Sequence, residues 1–334
     1  MNKMTKADVK PNATYGEIRK NGDEPFEWEL NRGPEYWEYR RKWEEYPKKQ
    51  ITSEGPLHLD IETLNLCNLT CELCPRTVAA NKGKLSTGVM KFDFYSNLID
   101  QGADFNACSV KFNYFGEPLM HPDVVKQVAY AKQKGFVEVM FNTNAVLLTK
   151  SMSQRLLDAG LDSIFFSIDS PYPEKYNKLR EGADFYQVMK NIEDFVKIKE
   201  DGGYKHVQTR VSLVLMGQSE EELDDYKEIF LDLVEIIGYG EYVDREKDYG
   251  AEFGIIDGFV CAQPFQRMFI NWDGMVFPCC VGNTKEMVMG DTHKTALIDI
   301  WNSNKYNNLR EHMKSSTYYK VPLCRRCFTP HAKF

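Results

Sequence analysis

No stretch of this 334-residue sequence approaches the roughly 18 consecutive apolar residues of a membrane helix. Its opening, MNKMTKADVKPN, lacks the apolar core of a signal peptide. We therefore expect no membrane partner and a cytoplasmic location. Positive charge is not in excess either: 42 Lys and Arg stand against 49 Asp and Glu, a net charge of −7. A nucleic-acid partner, which favours a basic face, is not expected. Internal repeats and low-complexity tracts are also missing. What remains is an ordinary globular composition, 43% hydrophobic and 27% charged. The length suits one large domain plus a small one, or two of middle size.

The nine cysteines are an odd number, and no secretion signal precedes them, so a disulfide framework is not expected. Cys108 stands apart. The others form two clusters, which in a cytosolic protein points to metal. The first cluster lacks something too. "LNLCNLTCELCPRT" places Cys67, Cys71 and Cys74 in C-x3-C-x2-C order, with no fourth cysteine nearby. A structural zinc site takes four protein ligands, and a cubane cluster has four irons. Three soft thiolates on a short loop suit three irons of a 4Fe-4S cube and leave the fourth open to a small molecule.

Along the chain, Tyr36, Tyr39, Trp43 and Tyr46 recur at helical spacing between Gly33-Pro34 and Pro47. This predicts a helix packed on the main domain, with a substrate lid as the other reading. From residue 56 the pattern alternates. "LHLDIETLN", "CSVKFNYF", "VEVMFNTN", "SIFFSIDS" and "TRVSLVLM" read as strands. "DVVKQVAYAKQKG", "KSMSQRLLDAG", "FYQVMKNIEDFVKIKE" and "SEEELDDYKEIFLDLVEII" read as helices. "AEFGIIDGFV" is read as a sixth strand. This rhythm implies βα units, a parallel sheet and an incomplete six-unit barrel, with chemistry at the C-terminal strand ends. Residues 237–253 read as a long loop, with Tyr242, Asp244, Arg245, Glu246 and Lys247 at a possible mouth. "FINWDGMVFPCC" reads as a hairpin turning at Asp273-Gly274, and "TALIDIWNSNKYNNLREHMK" as one helix.

On these motifs the chain resembles the radical S-adenosylmethionine (SAM) superfamily, whose hallmark is C-x3-C-x2-C after the first barrel strand. The resemblance implies that Cys67, Cys71 and Cys74 hold a cluster whose open iron binds SAM. It also implies reductive cleavage to a 5′-deoxyadenosyl radical, with a flavodoxin- or ferredoxin-type electron donor. "NYFGEP" is similar to the family's GGEP stretch, with Gly116, Glu117 and Pro118 matching and Phe115 replacing the first glycine. Asn144, Ser167, Asp169 and Arg180 fall on further SAM-contact positions. Plainer roles stand beside these: a turn residue for Glu117, a helix cap for Asp169, a structural hydroxyl for Ser167 and a surface charge for Arg180. His121 reads as a capping residue. Leu73 stands where most members carry an aromatic residue.

Cys261, Cys279, Cys324 and Cys327 resemble the SPASM/twitch extension of the same superfamily. The resemblance implies a second, fully ligated 4Fe-4S cluster; a zinc ribbon is the alternative. Cys280 reads as a buried neighbour and Cys108 as a core residue. The auxiliary spacing is very similar to that of the twitch-type 2-deoxy-scyllo-inosamine dehydrogenases. The expected fold is therefore a partial (β/α)6 barrel with a small C-terminal α+β domain. The expected division is an extension over residues 1–55, a barrel over 56–236, and the last strand plus twitch domain over 237–334. The resemblance implies oxidation of a sugar, cyclitol or nucleotide-sugar alcohol, with the second cluster as electron acceptor. Peptide modification, epimerisation and dehydration are the alternatives. No catalytic base is named by the sequence.

Overall fold

The computed structural model describes residues 16–243, 254–280 and 286–331. Among them, ten strands form one sheet. In chain order these are β1 (Gly16–Arg19), β2 (His58–Ile61), β3 (Ser109–Lys111), β4 (Glu138–Thr143), β5 (Ser163–Ser167), β6 (Gln208–Leu215), β7 (Ile236–Glu241), β8 (Arg267–Ile270), β9 (Met275–Phe277) and β10 (Gly290–Asp291). Across the sheet they run β1-β7-β6-β5-β4-β3-β2-β8-β9-β10. β2 to β7 are parallel neighbours in sequence order. β8 joins β2 in parallel, and β9 and β10 add an antiparallel meander beyond it. β1 closes the other edge, antiparallel to β7.

Alternation within the strands decides the two faces. Leu59, Ile61, Val110, Phe112, Val139, Phe141, Ile164 and Phe166 point outward and are buried under the helices. Leu98, Val128, Leu156, Ile192, Phe195 and Phe230 cover them from the helices Phe92–Asp104, Val124–Gln133, Lys150–Asp158, Phe185–Asp201 and Glu220–Leu233. Each such burial contributes about 1.5–3 kcal/mol. The inner face is polar and curls into a lumen.

The aromatic face of the N-terminal segment packs as expected, and its location settles its role. Phe26, Trp28, Tyr36 and Tyr39 form a second core with Leu57 and Ile236, and Trp43, Tyr46, Cys108 and Val137 pack against it. These partners stand at the N-terminal ends of β2, β3, β4 and β7. The segment thus plugs the end of the barrel opposite the cysteine loop and is not a lid over it. Arg32 anchors the plug by donating to the carbonyls of Asp162 and His206, at 2.6 and 2.9 Å, beside Glu138.

Four expectations need correction. The sixth strand is β7, "IIGYGE", and not residues 251–260, of which the described part carries no strand. The preceding helix stops at Leu233, where Val234 turns extended. The C-terminal stretch is two helices, Leu297–Trp301 and Asn304–Lys314, because Ser303 caps the second by accepting from Tyr306 N. The N-terminal helix also runs two residues past Pro47, to Lys49, before Gln50 turns left-handed. The hairpin at Asp273-Gly274 forms as read, with Gly274 at φ +82°.

Candidate active site

The loop carrying Cys67, Cys71 and Cys74 leaves the C-terminal end of β2. It has no regular structure until Pro75 opens a short helix. Local bonds hold it instead. Leu69 is buried, Thr70 N donates to Glu181 O at 3.0 Å, and Glu117 N donates to Leu66 O at 2.8 Å. Arg76 Nε donates to Asn65 O at 2.7 Å. Gly116 lies so close to the loop that a Cβ there would stand 2.1 Å from Leu64 O. Glycine is required by this approach of two backbones, not by its dihedral angles.

Above the loop is a cavity of about 260 Å³. The three cysteines line it, with Gly116, Glu117, Asn144, Ser167, Asp169 and Arg180. Pro118, the remaining expected contact, does not; it opens a 3-10 turn, Pro118–Met120. Glu117 is a buried brace. Its carboxylate accepts from Thr143 Oγ1 at 2.7 Å, Asn144 N at 2.8 Å and Leu119 N at 3.1 Å, while burial raises its pKa. Asp169 caps no helix. It accepts from Val214 N at 3.1 Å and pairs with Arg180 at 2.6 Å. Arg180 is accordingly not a surface charge. Asn144 Nδ2 approaches Cys67 Sγ at 3.8 Å and donates to Asn68 Oδ1 at 2.9 Å. His121 is a buried bracket, contacting Met90 O at 3.0 Å and accepting from Asp123 N at 3.1 Å.

Sequence reasoning missed Asn113, Tyr114, Asn142 and Met216 on the cavity wall. For Asn113 and Asn142 the signal was available: in "KFNYF" and "FNTN" they alternate with buried Phe112 and Phe141, so they face the lumen. Tyr114 and Met216 carried no such signal. Tyr242 also lines the cavity, whereas Asp244, Arg245, Glu246 and Lys247 lie outside the described residues.

Cys261, Cys279, Cys324 and Cys327 line a second cavity, walled by Phe259, Met287, Met313 and Tyr318. Burial pushes the thiols of Cys261, Cys279 and Cys324 up, and the neighbouring cysteines push them further. Four cysteines on one cavity are a soft donor set, and as thiolates they would need bound cations. Cys280 is not among the residues that line this cavity, and its carbonyl accepts from the Tyr114 hydroxyl. Tyr114 thus joins the wall of the first cavity to the loop of the second.

Both sites suit iron–sulfur clusters. Soft donors surround a void in each, and in the first the two lining carboxylates are already engaged by protein donors. The family comparison agrees with this chemistry. Residues 61–234 match the radical SAM superfamily, and residues 261–328 match SPASM, an iron–sulfur cluster-binding domain. The chain belongs to the radical SAM superfamily. Its cofactors are therefore SAM and a 4Fe-4S cluster, with further iron–sulfur binding in the SPASM region.

Among known proteins, this radical SAM chain is similar to the tungsten-containing aldehyde ferredoxin oxidoreductase cofactor-modifying protein of Pyrococcus furiosus. They share 25% identity over 81% of this chain and 86% of that one. It is also similar to the SAM-dependent 2-deoxy-scyllo-inosamine dehydrogenase of Niallia circulans, at 24% identity over 80% and 91%. The crystal structure of BtrN in complex with AdoMet and 2-DOIA shares the fold, with a TM-score of 0.52 and 21% identity over 82% and 92% of the two chains. No helix among the described residues is long and apolar enough to cross a membrane.

Proposed function

We propose that this radical SAM enzyme oxidises an alcohol of a sugar- or cyclitol-type small molecule. The observation that carries the reading is the Tyr114 bridge between a three-cysteine cavity and a four-cysteine cavity. When bound, the cofactors supply a 5′-deoxyadenosyl radical at the first site and a fully ligated electron acceptor at the second. Cys67, Cys71 and Cys74 would hold the first cluster, and Cys261, Cys279, Cys324 and Cys327 the other. Asn144, Ser167, Asp169 and Arg180 would face SAM, with Glu117 fixing the Asn144 backbone. An electron donor of flavodoxin or ferredoxin type is part of this reading.

Oxidation removes two hydrogens from a carbinol. Removing the first leaves a radical that must still lose a proton and an electron. Outer-sphere transfer fits the second site, because four thiolates leave no room for substrate. The dehydrogenase name of the Niallia circulans relative supports the reading.

The test is anaerobic turnover with SAM over a panel of sugars, cyclitols and their derivatives, read by mass spectrometry. We expect a product two mass units lighter, formed with one 5′-deoxyadenosine per turnover. A product of unchanged mass, or a cross-linked peptide, would overturn oxidation.

A further inference from the structure

The wall of the first cavity carries two carboxamides that the reading above leaves without a task. Asn113 and Asn142 both line it. They stand side by side at the C-terminal ends of β3 and β4, where the ladder between these strands gives out. Phe112 N still donates to Met140 O at 3.1 Å, but Asn142 N donates to Asn113 Oδ1, also at 3.1 Å. A side chain therefore makes that rung. The bond fixes the Asn113 amide: Oδ1 accepts from β4, and Nδ2 makes no hydrogen bond among the described residues. Asn142 Oδ1 is enclosed by protein and likewise has no hydrogen-bond partner. Asn142 precedes Asn144 by two residues, so it lies about 6–7 Å deeper along the strand than the residue assigned to SAM.

Enclosing a carbonyl oxygen without a donor destabilises a fold, and an apolar side chain of the same shape would avoid the loss. An orphaned amide on a cavity wall therefore points to a ligand. The chemistry of the pair selects which one. Oδ1 only accepts, and Nδ2 only donates. An anion has no proton for the first, and an ammonium has no lone pair for the second. A hydroxyl both donates and accepts. The rest of the wall suits a hydroxylated ring: Phe115, Leu179 and Met216 offer apolar surface to its C–H faces. The lining carboxylates of Glu117 and Asp169 are already engaged by protein donors.

We propose that Asn113 and Asn142 determine substrate specificity in the first cavity: Asn142 Oδ1 accepts from one ring hydroxyl, and Asn113 Nδ2 donates to a neighbouring one. This rests on the oxidation reading and narrows its substrate to neutral polyols, with at least two hydroxyls besides the carbinol that reacts.

The test is calorimetric binding of myo-inositol, glucose and cyclohexanol to anaerobically reconstituted holoenzyme with SAM present. It compares wild type with Asn142→Leu and Asn113→Asp; the second keeps the oxygen that accepts from Asn142 N and removes the Nδ2 donor. In wild type we expect at least one polyol to bind more tightly than cyclohexanol. Asn142→Leu should weaken that polyol roughly three- to tenfold, the loss of one neutral hydrogen bond, and leave cyclohexanol unchanged. Without any probe its melting temperature should hold or rise, because an enclosed orphan oxygen is gone; a merely structural asparagine would lower it. No polyol binding at millimolar probe, equal polyol binding in Asn142→Leu, or weaker binding together with a lower melting temperature would overturn the proposal. So would N-acetylalaninamide binding with the same Asn142 dependence in place of the polyols, which would mark a peptide site. If Asn142→Leu loses the cluster absorbance, Asn113→Asp carries the same comparison. The readout is binding and not turnover. A polyol held through Asn142 but converted to a product of unchanged mass would overturn oxidation and leave this subsite standing.

Discussion

Gly116 and Glu62 show how single residues set the first site. An alanine at 116 would force its Cβ onto Leu64 O, so either β3 or the cysteine loop must move. Overpacking of this kind costs about 1–3 kcal/mol. We expect Gly116→Ala to lower the melting temperature and weaken SAM binding to the holoenzyme; an unchanged SAM titration would remove this contact from the argument. Glu62 is buried at the mouth, where its carboxylate accepts from Phe115 N at 3.0 Å. Burial raises its pKa from 4.5 to about 8. The folded state therefore holds a proton that the unfolded state gives up. Stability should fall as pH rises through the window between these two values and level off above it. Thermal melts of wild type and Glu62→Gln across that window should diverge with rising pH, the variant keeping more of its stability. Parallel curves would mean that Glu62 is ionised when folded. Neither role was legible in the sequence. "IETLN" shows a polar residue after a strand but not that Phe115 and the β8–β9 turn enclose it. Gly116 stood out only through its motif, and the reason for a glycine needs the loop in place.

At the scale of elements, periodicity served well where one face alone is buried. The helices Val124–Gln133 and Lys150–Asp158 end close to their expected glycines, Gly135 and Gly160, both at φ +89°. Reading failed where apolar residues run on. "LVEII" continues the preceding helix on pattern alone, yet Ile236 and Ile237 belong to β7 and are buried on both sides of the sheet. An all-apolar run does not distinguish a strand from a helix end. The N-terminal helix was legible as an aromatic face, but the end of the barrel it covers was not, because a face does not name its partner. Arg32 tests that docking. It is 8% exposed, donates to two strand-entry carbonyls and faces Glu138 at 3.6 Å. Arg32→Ala leaves a buried carboxylate unpaired, a loss of about 3–5 kcal/mol. Chemical denaturation should show it with the first cavity intact, since the plug lies at the opposite end. Loss of SAM binding without loss of stability would contradict that division.

At the scale of the molecule, one core runs from the barrel into the C-terminal region. Trp301, Tyr306, Met313 and Tyr318 are continuous with the barrel's buried residues, and Cys324 packs against them. The sheet is equally continuous through β2 and β8. The second cysteine set is therefore attached to the barrel by packing and not through metal alone. This separates two meanings of a lost ligand. If the auxiliary cluster were the main stabiliser of the region, Cys324→Ala would unfold it and disturb β8 and β2, which leads into the first cysteine loop. The shared core argues otherwise. We expect the variant to stay folded and to fall from about eight irons per chain to about four after reconstitution. SAM cleavage at the first site should persist in part, while the two-mass-unit product disappears, giving 5′-deoxyadenosine without oxidation. Far-UV circular dichroism and iron analysis establish the fold and the surviving cluster before any activity is read. A folded variant that still makes the oxidised product at the normal rate would rule out the second site as electron acceptor. Tyr114→Phe refines the result, because it removes the hydroxyl bond to the Cys280 carbonyl and leaves the seven proposed cluster cysteines in place. Slower oxidation with unchanged iron content would locate the coupling in that bond.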